Sequence, residues 1–114
     1  MSARRSSSDL RSSAPVFAAL GDPTRLHLVA RLCASEPLSI TQLASGTRVT
    51  RQAVTKHLHV LAQAHLVRGT RSGRERLWEL NNDQLLEARR CLDAISQQWD
   101  AALGRLKASL EAEE

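Results

Sequence analysis

Aromatic side chains are scarce: 114 residues include one Phe, two Trp and no Tyr, namely Phe17, Trp78 and Trp99. A flat cofactor would find few rings to stack on. Cys33 and Cys91 are the two cysteines, with neither a CxxC pair nor a longer zinc-type spacing between them. No run of about eighteen apolar residues occurs, so no transmembrane helix and no membrane partner is expected. Met1 to Ser13 is polar and Arg/Ser-rich, without the apolar stretch of a secretory signal. The chain is therefore expected in the cytoplasm, where thiols stay reduced. Paired carboxylates, a Gly-rich phosphate loop and a nucleophile elbow are all missing, and Glu75 and Glu79 have no convergent base. No enzyme activity is expected. The histidines His27, His57, His59 and His65 include no i, i+4 pair, so neither a metal site nor a cofactor is expected.

What the chain does have is positive charge in one place. Its formal charge is +4 and its pI is near 10.0, within a length that suits one domain. Between Arg48 and Arg76, seven basic residues (Arg48, Arg51, Lys56, Arg68, Arg71, Arg74, Arg76) face Glu75 alone. From Asp83 onward the balance turns acidic. Such a local excess of one sign points to a polyanionic partner.

The positive stretch contains an amphipathic helix. In VTRQAVTKHLHVLAQAHL, from Val49 to Leu66, the residues Val54, Leu58, Leu61 and Ala62 follow i, i+4, i+7, i+8 spacing and form one apolar face. Gln52, Thr55, Lys56, His59 and Gln63 line the opposite face, and none of them is acidic. Thr50 is placed to cap the helix, which puts Arg51 in the first turn. A cation there opposes the helix dipole unless an anion such as a DNA phosphate sits nearby. The segment reads as a DNA recognition helix. Gln52, Thr55, Lys56 and His59 are the candidates for base contacts; His57 falls beside the apolar face and is expected to be buried and hydrogen-bonded.

The flanking segments fit this reading. Residues 1–13 are expected to be a disordered basic arm, followed by a short helix from Ala14 to Leu20. In GDPTR, Asp22 is a candidate N-cap with Pro23 at the first helical position, and Leu26, Val29, Ala30 and Cys33 form the expected buried stripe of the next helix. Ser39 and Gln42 have capping-box spacing at the head of a short helix from Ile40 to about Ser45, closed by Gly46. A short helix and a recognition helix joined by a tight turn make a helix-turn-helix. Leu66–Thr70 and Arg76–Leu80, with Ser72-Gly73 between them, are predicted to form a two-stranded wing. Arg71, Arg74 and Arg76 at its tip, with Arg48, Thr50 and Arg51, are the candidates for phosphate contacts.

From Asn82 to about Ala112 there is no proline, and Leu85, Leu92, Trp99 and Leu106 recur every seven residues with Ala88, Ile95 and Ala102 between them. This seam, with Leu103 beside it, suits packing against another helix. A helix of about thirty residues is roughly 45 Å long, more than so small a domain can cover. A homodimer held by Leu85, Leu92, Ile95, Trp99, Leu103 and Leu106 follows. The expected fold is mainly α with a small β-hairpin: residues 14–114 form one winged helix-turn-helix domain whose dimerisation helix spans 82–112.

These parts, in this order, resemble the ArsR/SmtB family of winged helix-turn-helix regulators. The resemblance rests on ALGDPTRLHLV (Ala19 to Val29), LSITQLA (Leu38 to Ala44), TRQAVTKHLHVL (Thr50 to Leu61) and GRERLWEL (Gly73 to Leu80). It implies a dimer that binds double-stranded DNA at a palindromic operator and represses its own or a neighbouring operon. Metal-sensing members carry cysteines where this chain has Ser39 and Thr41, or histidines in a last helix that here has none. The chain is therefore similar to the subgroup that does not sense metals, whose inducers are mostly undefined. Two alternatives stay open: a redox- or sulfide-responsive repressor using Cys33 and Cys91, and a winged-helix module that binds DNA without an operator or binds a protein partner.

Overall fold

The computed structural model describes residues 7–112. Helix α1 (Ser7–Leu20) is followed by α2 (Pro23–Cys33), a two-residue strand β1 (Leu38–Ser39) and α3 (Ile40–Ala44). Next come α4 (Arg51–Gln63), strands β2 (Val67–Ser72) and β3 (Glu75–Leu80), and the long helix α5 (Asn82–Ala112). The three strands form one antiparallel sheet in the order β1-β3-β2. Among the described residues, no helix is long and apolar enough to cross a membrane.

Helix starts follow local chemistry. Asp22 accepts from Arg25 N at 3.0 Å, with Pro23 opening α2. Ser39 and Gln42 form the expected capping box on α3. Thr50 Oγ1 accepts from Ala53 N at 3.1 Å and starts α4. Arg31, on α2, donates to the carbonyls of Leu43 (2.7 Å) and Gln42 (3.1 Å), closing the C-terminal end of α3.

The core gathers around α4. Val54, Leu58 and Leu61 are fully buried, and Leu28 of α2, Leu43 of α3, Leu66 just before β2 and Trp78 of β3 pack in the same cluster. Trp78 pairs with Leu38 on one side and Gly69 on the other, so β1 closes the edge of the wing against the core. The sequence reading missed this third strand because two residues carry no alternation pattern.

Three expectations need correction. Helix α1 starts at Ser7, so residues 7–13 are helical rather than a disordered arm; the rest of that arm lies outside the described residues. Pro15, which suggests a helix start, lies inside α1 instead, and the buried Ser13 and Val16 show that packing outweighs the poor local propensity. In α2 the buried stripe is Leu28, Val29 and Leu32, while Leu26 is 52% exposed and Ala30 and Cys33 face outward. Both stripes satisfy helical periodicity; the positions of α1 and α4 decide between them. Finally, Leu85, expected in the dimer seam, packs half-buried on its own core, as do the buried Ala88 and Cys91.

Beyond Cys91 the seam runs free. Leu92, Ile95, Trp99, Leu103, Leu106 and Leu110 share one face of α5 and are all exposed, Trp99 at 65%. The radius of gyration is 18.7 Å, against about 13 Å for a compact chain of this length.

Leu58→Ala, at a site with no exposed surface, should cost about 2–5 kcal/mol of unfolding free energy. Urea denaturation should show a lower midpoint with an unchanged slope.

Candidate nucleic-acid interface

The outward face of α4 carries Gln52, Lys56 and His59 exposed, with Thr55 half-buried among them. Thr55 Oγ1 donates to Arg51 O at 2.9 Å, so its proton is spent inside the helix. Its lone pairs and methyl group remain for a partner. The His59 ring leans toward the sheet, its centroid 6.3 Å from that of Trp78. Arg48, Thr50 and Arg51 are exposed around the N-terminal end of the helix.

Its C-terminal end is tied down. His65 has a φ of 63°, a left-handed conformation that usually falls to glycine, and Leu66 N donates to Leu61 O at 3.0 Å. Asn81 Nδ2 donates to His65 O (2.9 Å) and Gln84 Nε2 to Ala64 O (3.2 Å), so the first residues of α5 and its approach hold the end of α4. The sequence shows no sign of this tether, since its parts lie 16 and 20 residues apart.

In the wing, Ser72 pairs with Glu75 across a two-residue loop, Gly73-Arg74, and Gly73 has a φ of 64°. Charge is arranged differently at the two ends of the hairpin. Near its base Arg68 faces Glu79, and Arg68 Nε lies 3.0 Å from Glu79 Oε1. Near its tip Arg71 faces Arg76 directly. Like charges opposed across strands destabilise a sheet. Among the described residues no carboxylate forms a salt bridge with Arg71, Arg74 or Arg76. These arginines are exposed, and Arg51 shares a cleft with Arg74, Glu75 and Arg76.

Arg76 has a second role. Its guanidinium carbon sits 5.4 Å from the centre of the Trp78 ring, a cation–π contact. The side chain crosses Gly69, where an added Cβ would come within 2.9 Å of Arg76 Nε. Glycine at position 69 lets the arginine lie flat on the sheet. In the sequence Arg76 is one wing-tip arginine among three, and nothing local marks this stacking.

The remaining candidates fall elsewhere. Both cysteine thiols are free: Cys33 is exposed at the end of α2 and Cys91 is buried on the inner face of α5. His57 is partly buried and contacts α2.

A helix-turn-helix domain family matches residues 20–70. The chain is 38% identical over 96 residues to the HTH-type transcriptional regulator Rv2034 of Mycobacterium tuberculosis, covering 84% of this chain and 86% of that protein. It belongs to the ArsR/SmtB family of winged helix-turn-helix transcriptional regulators. An ArsR-like transcriptional regulator from Rhodococcus sp. RHA1 superposes with a TM-score of 0.74 at 34% identity, over 89% of this chain and 94% of that one. The homodimeric winged helix-turn-helix DNA-binding domain of Mb0332 from Mycobacterium bovis shares the fold, with a TM-score of 0.63 at 20% identity, over 86% and 94% of the two chains. This ArsR/SmtB chain is thus a DNA-binding regulator and not an enzyme.

Gly69→Ala should push Arg76 off Trp78 and lower stability by about 1 kcal/mol, the size of an exposed cation–π contact plus local crowding. Thermal unfolding should show a melting temperature roughly 4–8 °C lower. In an Arg76→Ala background the same substitution should not lower it, and an equal change in both backgrounds would mean the arginine stack contributes nothing to the wing.

Proposed function

We propose that this regulator is a homodimeric repressor that inserts α4 of each protomer into successive major grooves of a palindromic operator, at its own or a neighbouring operon. The observation that carries the reading is the excess of exposed basic and hydrogen-bonding groups on the row of α4 and the wing, where Arg51, Arg74 and Arg76 share one cleft with Glu75 as its one acid. Gln52 and Lys56 suit bidentate contacts to adenine and guanine edges, and Thr55 and His59 lie beside them. Arg48, Thr50, Arg51, Arg71, Arg74 and Arg76 are assigned to the phosphates that set register. Seating a protein of this size over a promoter blocks polymerase, so binding alone is enough to repress.

The dimer rests on the exposed apolar seam of α5, Leu92 to Leu110, which no part of the described chain covers. An isologous pairing of this face would bury it, and Mb0332, which shares the fold, is homodimeric. Two copies of α4 would then sit about one DNA turn apart, roughly 34–36 Å, or a multiple of that. The seam has no histidine, and Ser39 and Thr41 occupy the head of α3, so release is assigned to something other than the metals that other family members sense.

The first test is fluorescence anisotropy on the DNA upstream of the gene and on scrambled DNA, at two salt concentrations. Specific affinity should exceed non-specific affinity by at least ~10³. Equal binding that collapses with salt would reduce the surface to an electrostatic platform. On the same DNAs, Lys56→Ala should lower discrimination by about 1–3 kcal/mol, while Arg74→Ala should weaken both about equally and flatten the salt slope by about one unit. Equal losses on both DNAs for both variants would contradict that division of roles. Trp99→Glu should leave the domain folded but yield monomers by sedimentation, with operator affinity lost; a dimer that survives the change would place the interface elsewhere.

A further inference from the structure

The GDPTR stretch and His57 take no part in the DNA face, yet they meet. Arg25, in the first turn of α2, donates from Nε to Ala19 O at 2.5 Å, and its Nη1 lies 3.3 Å from His57 Nδ1. Asp22 Oδ2 accepts from Arg25 N at 3.0 Å and lies 3.9 Å from the same Nδ1. The side chains of His57 and Asp22 are 25% and 31% exposed, so bulk water only partly screens the contact. Arg25 thus touches three elements at once: the end of α1, its own α2, and α4.

A guanidinium has only donors. The 3.3 Å contact is a hydrogen bond only when Nδ1 presents its lone pair, which places the ring proton on Nε2. Protonating Nδ1 turns the contact into donor against donor and sets two cations side by side. The acceptor then available is Asp22, which at 3.9 Å is too far to bond until the ring or the helix shifts. The carboxyl of Asp22 is held below its ordinary value of 3.8, chiefly by the backbone hydrogen bond from Arg25 and secondarily by the nearby Arg25 and His57 charges. It therefore stays ionised throughout the range in which histidines titrate. Asp22, the cap of α2, and Arg25, in its first turn, are the charged groups that face the ring from that helix among the described residues. The end of α1 contributes only the Ala19 carbonyl, through Arg25, and the neighbouring Lys56 on α4 is exposed on the outward face.

We propose that Arg25 and His57 form a positioning latch that holds the recognition helix in its DNA-reading orientation, and that protonating His57 transfers its ring from Arg25 to Asp22 and opens the latch. The link to DNA rests on the function proposed above; the latch itself does not. An added charge on His57 by itself favours any polyanion, so opening should appear as lost discrimination rather than lost affinity.

Two measurements test this. In the free protein, NMR of the ring nitrogens should find neutral His57 almost wholly with Nε2 protonated and Nδ1 accepting from Arg25, and Arg25→Ala should weaken that preference to the milder one of a free imidazole and remove the hydrogen-bond shift at Nδ1. A neutral ring protonated on Nδ1 overturns the latch. On DNA, the ratio of operator to scrambled affinity should fall about tenfold from pH 8 to pH 5.5 in the wild type, as expected for one lost hydrogen bond to a charged group. His57→Gln, whose amide oxygen can accept from Arg25 but cannot titrate, should escape that tenfold fall. His27, His59 and His65 are common to both proteins, so parallel pH profiles overturn the proposed switch. Absence of discrimination at every pH would instead remove the operator reading, and the ring nitrogens would still decide the latch.

Discussion

Burial of one face of α4 is the constraint on which the rest depends. Val54, Leu58 and Leu61 have no exposed surface, and α2, α3, β3 and the chain entering β2 supply the side chains that cover them. On a helix, fixing one face fixes the other: once the leucines point inward, Gln52, Lys56 and His59 must point out. The polar row is presented by geometry, at no cost to the core. The helix is also held along its length. Thr50 caps its start, Arg25 reaches His57 at its middle, and Asn81 and Gln84 hold its end. A reader that must match base edges to within an ångström needs such support, because a loosely held helix would spend binding energy on being ordered.

The wing follows a different logic, in which local stability yields to the partner. Arg68 and Glu79 show that the hairpin can pair opposite charges across its strands. Three residue pairs further along, Arg71 faces Arg76 with no acid to relieve it. The repulsion is modest in water and is partly offset by stacking Arg76 on Trp78. In the proposed complex a phosphate between the two guanidiniums would remove it, so part of the attraction to a polyanion would be prepared in the free protein.

Much of this was legible in the sequence, wherever the determinants are local. The caps at Asp22, Ser39 and Thr50 each need only three or four adjacent residues, and Ser72-Gly73 marks the turn of the wing. The apolar period of α4 was readable because Val54, Leu58 and Leu61 recur at helical spacing with polar residues opposite them, although Val60 is exposed. The misreadings share one cause, which is contact at a distance. Leu26 and Cys33 fit a helical stripe as well as Leu28 and Leu32 do, and only the placement of α1 and α4 chooses between them. Leu85 belongs to the heptad seam by spacing and to the domain core by position. Helix α1 begins among serines because its inner face meets α5, and no local preference announces that. Among the candidate site residues, exposure and position on α4 and the wing were foreseeable, whereas the Arg76 stack over Gly69 and the tether from Asn81 were not.

That tether makes α5 more than an oligomerisation surface. Its 31 residues form a rod about 46 Å long, and one end of the rod is bonded to the end of the reading helix. A rod of that length converts angle into distance: a tilt of about 4° moves one end by roughly 3 Å relative to the other, close to one base-pair step of ~3.4 Å. In the proposed dimer, anything that changes the crossing angle of the two rods by a few degrees would shift the readers out of phase with the grooves. The protein could then leave its operator without unfolding, refolding or altering a single residue that touches DNA.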